Sequence, residues 1–223
     1  LEIAASALYP GGTWFDRRTT GYSFWGNFWC DLLHRRALNG EPNSLGADLA
    51  AAAMIVLALT LALHWDAMRR SLPRRTTALG VLALGAASSA GLVLVALAGS
   101  DRFPHLHSAA VVASGPLGML AAILCLLQPV SGRLQRTGRT AGAFGLLLSL
   151  VSLGQYVWQS YGQAPDATWL PGLEKLGSLG LLTWVLLMAL DRALRHRSSL
   201  STSAAATVGG DRGEEEGSRS GAA

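Results

Sequence analysis

The sequence predicts an all-α fold, a polytopic membrane helix bundle, and three observations predict it. Five long apolar runs, each of about 18 to 24 residues, divide the chain. Each is long enough to cross a hydrocarbon core of ~30 Å at ~1.5 Å per helical residue. Only 14% of the 223 residues are charged, against about 25% in an ordinary soluble domain. The remaining charge is grouped: 17 of the 18 basic residues are Arg, and most sit in short clusters between apolar runs. Such clusters mark the cytoplasmic loops of membrane proteins. This distribution assigns the net charge of +4 to topology and argues against nucleic acid as a partner.

Taken in order, Leu1 to Leu8 is apolar but far shorter than a span and has no basic flank of the kind a signal peptide carries. It reads as the stump of a truncated first span. Full spans are expected at 47–65, 77–99, 105–128, 141–158 and 170–190. The bundle therefore has five full spans plus the truncated one, six in all, within a domain covering residues 1–196. The loops carrying Arg69, Arg70, Arg74 and Arg75, then Arg133, Arg136 and Arg139, then Arg192, Arg195 and Arg197 alternate with loops that hold little basic charge. The basic set is expected inside a cell membrane, with a cytoplasmic C-terminus. Residues 197–223 are rich in Ser, Gly and Ala, carry Glu214 to Glu216, and read as a disordered cytoplasmic tail.

Small residues four apart, such as Ser114 with Gly118 and Gly145 with Ser149, predict close helix contacts within the bundle or in a helix–helix homo-oligomer. Pro116 predicts a kink. His64 and Asp66 mark the inner end of their span. Cys30 and Cys125 are far apart and no CxxC spacing exists, so neither a disulfide nor a zinc knuckle is expected.

Between the stump and the first full span, Trp25, Phe28, Trp29, Leu32 and Leu33 fall at helical spacing, opposite Asn27, Asp31, His34 and Arg35. This predicts an amphipathic outer helix over 24–38, ended by Asn39-Gly40. Ser44 is expected to cap the next span. Topology places Asp31, His34, Asp48, Asp101, His105, His107 and Glu174 in one outer layer. Carboxylates and imidazoles are the donors Zn²⁺ uses, so Asp31, His34, Asp101, His105 and His107 are the candidate metal ligands. A metal-bound water there would serve a membrane-embedded hydrolase. No HExxH-type spacing is present, and a plainer set of roles accounts for the same residues. In it Asp48 and Glu174 serve helix N-termini and Asp31 pairs with Arg35. The preferred function is a non-enzymatic multi-pass protein with a structural, sensory or lipid-interacting role. It has the lipid bilayer as partner and no cofactor. The alternative is the metal-dependent hydrolase with zinc at the outer face. A transporter is disfavoured because no charge lies near the middle of a span.

The stretch Asn27, Phe28, Trp29, Cys30, Asp31, Leu32, Leu33, followed by Asn39, Gly40, Asn43 and Ser44, resembles the outer segment of bacterial membrane proteins grouped as domain of unknown function 998. Pro104 and His107 are similar to a later pair in that group. Cys30 and Leu33 stand where the pattern has Ser and Gly. The resemblance implies a six-span bundle and no activity.

Overall fold

A computed structural model describes residues 1–129, 132–161 and 168–219, with side chains for 1–129, 132–159, 168–195 and 197. Six α-helices follow in order: α1 (Glu2–Leu8), α2 (Ser44–Arg69), α3 (Arg75–Leu97), α4 (Pro104–Leu126), α5 (Arg133–Tyr161) and α6 (Leu170–Arg219). The side chains of the tail read as disordered from residue 198 onward lie outside the described residues, as does Asp166 of the loop before α6.

Helices α2 to α6 each contain a stretch long and apolar enough to cross a membrane. Their burial pattern is the physical argument for lipid. On α2, Ala47, Ala50, Met54 and Ala58 are buried, whereas Val56, Leu59 and Leu63 are exposed. The larger aliphatic side chains thus point outward and the small ones inward. In water, each exposed Leu or Val would forgo roughly 1.5–3 kcal/mol of burial. In lipid the exposed stripe costs nothing, and packing is driven by close backbone approach. Small residues provide that approach. A Cβ on Gly91 of α3 would press on Ser114 of α4, and one on Gly118 of α4 would press on Ser88 of α3. Gly145 of α5 lies against the backbone of Gly177 to Leu181 on α6. Helix α4 continues through Pro116.

The two ends of the bundle differ. At one end the Arg-rich segments meet: Gln135 donates to Asp191 (2.9 Å), Arg139 to the Gln128 carbonyl (3.4 Å), and Arg192 to the Met68 sulfur. At the other end, residues 9–43 fold into a cap over α2, the α3–α4 turn and the start of α6. Two isolated antiparallel bridges, Gly11 with Thr20 and Arg36 with Pro42, shape this cap.

The expected amphipathic helix over 24–38 is not formed. The only helical turn there is a 3-10 helix, Trp29–Leu33. Asn27 and Asp31, the expected wet face, are buried, while Trp25 of the expected apolar face is exposed. Their side chains bind nearby backbone in place of an α-helical ladder. Asn27 Oδ1 accepts from the Ser23 N–H (2.9 Å), and Asp31 Oδ2 accepts from the Phe28 N–H (2.9 Å). Such local bonds compete directly with helix formation. The first residue of α2 also differs from expectation. Asn43, not Ser44, is the N-cap residue, and it makes no side-chain capping bond.

Candidate functional site

The cap is built around buried polar groups. Gly12 has φ +84°, and a Cβ there would collide with the backbone of Leu38 and Asn39. Only glycine lets the chain cross itself at that point. The crossing delivers the Gly12 carbonyl to Asn27 Nδ2 (2.8 Å). Asn27 Nδ2 also donates to Asp31 Oδ2 (3.1 Å), and Trp14 Nε1 donates to Asp31 Oδ1 (2.8 Å). Asp31 thus accepts three hydrogen bonds, one each from a backbone amide, an amide side chain and an indole. Burial raises its carboxyl above the usual value, and the bonds from Asn27 and Trp14 oppose the shift. Asn43 ties the cap to α2. Its Nδ2 donates to the carbonyls of Leu32 (3.3 Å) and His34 (2.9 Å).

The remaining candidate ligands are spent separately. His34 Nε2 bonds Ser100 Oγ, and burial lowers the imidazole below its ordinary value. Asp101 Oδ2 accepts from the Arg35 N–H (2.9 Å). His107 Nδ1 bonds the Ala98 carbonyl (2.8 Å). His105 is exposed. Asp48 pairs with Arg35 at 2.7 Å, so Arg35 does not take Asp31 as its partner. The cap-side layer expected from topology is assembled, and its members have different partners. Among the described residues, no group of three or more His, Cys, Asp or Glu side chains is arranged to hold a metal ion.

The most unusual group in this layer is one that sequence reasoning passed over. Lys175, the only lysine in the chain, is fully buried in the second turn of α6. Its Nζ donates to the carbonyls of Asn27 and Pro171, the latter at 3.1 Å. It also lies 5.4 Å from the Tyr22 ring centroid, 5.3 Å from Phe24 and 5.4 Å from Trp29. Cation–π attraction grows when the cation is desolvated, to ~2 kcal/mol or more. Glu174, next in sequence, accepts from the Trp29 N–H (3.1 Å). Cap and α6 are thereby joined by one cation and one carboxylate. A lone lysine beside a glutamate at the start of an apolar span was the available signal.

The exposed face of the cap side is aromatic. Trp14, Phe15, Phe24, Trp25, Phe103 and Trp169 all present large ring area outward. No family model, no curated protein and no solved structure matches this chain. The chain is a multi-pass helical protein whose apolar helices suit a membrane.

Proposed function

We propose that this protein is non-enzymatic and that its cap is a lid resting in the outer headgroup layer, with a structural and lipid-interacting role. The observation that carries this reading is a division of labour within the cap. Asn27, Asp31 and Asn43 are turned inward and hold backbone, while Trp25 of the cap, with Phe103 and Trp169 beside it, faces outward. Aromatic rings with one wet edge favour the boundary between headgroups and tails. Orientation follows the Arg clusters, which put the cap outside a cell membrane and the C-terminus in the cytoplasm. The resemblance to domain of unknown function 998 adds an expectation of six spans to this reading.

A zinc titration of the purified chain, followed by calorimetry, separates this reading from the metal-hydrolase alternative. The lid reading expects no saturable site that depends on His34 and Asp101. One-site binding abolished by both His34→Ala and Asp101→Ala would replace the lid with a metal centre. Orientation is tested separately with single cysteines placed at Arg74 and Arg136 in a cysteine-free background. Labelling of either by an impermeant reagent on intact cells would reverse the proposed topology.

A further inference from the structure

At the Arg-rich end, α2 and α6 face each other through two matching stripes. His64, Trp65 and Met68 line α2; Trp184, Met188 and Arg192 line α6 at spacings of four. The His64 and Trp184 ring centroids are 5.3 Å apart, those of Trp65 and Trp184 are 6.2 Å apart, and further along the two helices Arg192 meets Met68. Room for the indoles is made by glycines: a Cβ on Gly85 would collide with Trp65, and one on Gly142 would press on Trp184.

The stripes hold buried ring nitrogens without partners. His64 is 6% exposed and Trp65 5%, and neither His64 Nε2 nor Trp65 Nε1 has a hydrogen-bond partner. An indole N–H is an obligate donor. Leaving it buried and unpaired costs about 1–3 kcal/mol. Arg192 donates to a thioether, a weak acceptor. The nearby acids are engaged elsewhere. Asp191 accepts from Arg195 and Gln135, each at 2.9 Å, and Asp66 takes Arg69 and Arg70. Among the described residues Arg192 makes no ion pair within 4 Å.

We infer that these ends of α2 and α6 form a binding site for a phosphate group, held by Arg192 with Trp65 Nε1 and His64 Nε2 as further donors. Guanidinium and phosphate match in charge and in hydrogen-bond geometry, and a phosphate readily displaces a thioether from Arg192. Leu63 on α2 and Leu190 on α6 are exposed beside the site, as the acyl chains of a bound phospholipid require. Basic pockets between spans on the Arg-rich side take anionic headgroups by the same chemistry. This site is independent of the cap and of its proposed role.

The test uses the full chain in phosphatidylcholine nanodiscs carrying increasing phosphatidylglycerol, and in detergent with inorganic phosphate. Thermal midpoint and tryptophan emission are read in both. A saturable response is expected in the lipid arm. Arg192→Gln should weaken it about tenfold, the worth of a charged hydrogen bond. Arg192→Lys should fall between, and Trp65→Phe, which keeps an aromatic ring, should weaken it severalfold. Arg74→Gln removes equal charge from the same side and should change it less than about twofold. If inorganic phosphate saturates the same response, the source is free phosphate; if only the lipid does, it is a headgroup. No saturable response in either arm, or equal losses in Arg192→Gln and Arg74→Gln, overturns the site.

Discussion

The two ends of this bundle use their buried polar groups differently. At the cap end, Lys175, Asp31, Asn27 and His34 are each held by named partners, several of them backbone groups of residues 9–43, while the Tyr22 hydroxyl, Asn43 Oδ1 and Glu2 Oε2 are buried there without one. At the Arg-rich end, His64 and Trp65 are equally buried and have ring nitrogens with nothing to bond. A satisfied polar network makes a segment rigid and specific. An unsatisfied one stores a cost that a ligand can remove. The charged groups of the first end are spent on architecture, whereas at the second Arg192 has only a thioether beside the unpartnered rings, and that end reads as a place for something else to bind.

The comparison is broken most forcefully at Lys175. Lys175→Met keeps most of the side-chain volume but strips donors from two carbonyls and a cation from three rings. Removing one member of a buried charged cluster typically costs ~3 kcal/mol or more, so chemical denaturation in detergent should register a loss of about that size. Asp31→Leu, which leaves the Trp14, Asn27 and Phe28 donors unbonded, should cost ~2 kcal/mol in the same assay. Gly85→Ala tests the other end. The added methyl must displace Trp65, and overpacking of this kind costs ~1–3 kcal/mol. Its effect should appear as a shift in tryptophan emission as well as in stability.

Acidification sharpens the contrast within the cap. Burial holds His34 below its ordinary 6.5, so the folded chain takes up that proton less readily than the unfolded chain. Its stabilising contribution is complete above pH 6.5 and is lost as pH falls through the folded value. Asp31 has the opposite sign. Burial raises it above 3.8, so its contribution is complete below that pH and declines as pH rises through the folded value. As pH falls from 7 to 5, the thermal midpoint of His34→Gln should therefore rise relative to that of the native chain. The smallest effect belongs to the exposed Arg35–Asp48 pair, whose side chains are 44% and 60% accessible. Arg35→Gln should cost less than about 0.5 kcal/mol in a denaturant titration.

How far the sequence reaches depends on what its periodicity can report. The five apolar runs translated directly into α2 to α6 because a span must satisfy its own backbone in lipid, which leaves helix as the available form. The small residues Ser114, Gly118 and Gly145 were legible as contact points for the same reason. The cap was misread because helical spacing over Trp25 to Leu33 names two faces without saying which is dry. Here Asn27 and Asp31 fill the interior, since their side chains terminate backbone that a cap without sheet or helix leaves open. The cap-side polar layer was legible as a layer. Its partners were not, because the contacts of His34 with Ser100 and Arg35 with Asp101 join residues 66 apart. Lys175 was visible in the chain, yet its aromatic neighbours lie about 150 residues earlier and only folding brings them together.

The claim that the cap is held as architecture by Lys175 is tested most directly by hydrogen exchange in native and Lys175→Met chains in detergent. The expected result is lost protection for amides donating within 9–43, such as Gly12, Asn27 and Asn39, with protection in α3 to α5 unchanged. Unaltered protection across 9–43 in the variant would contradict the account.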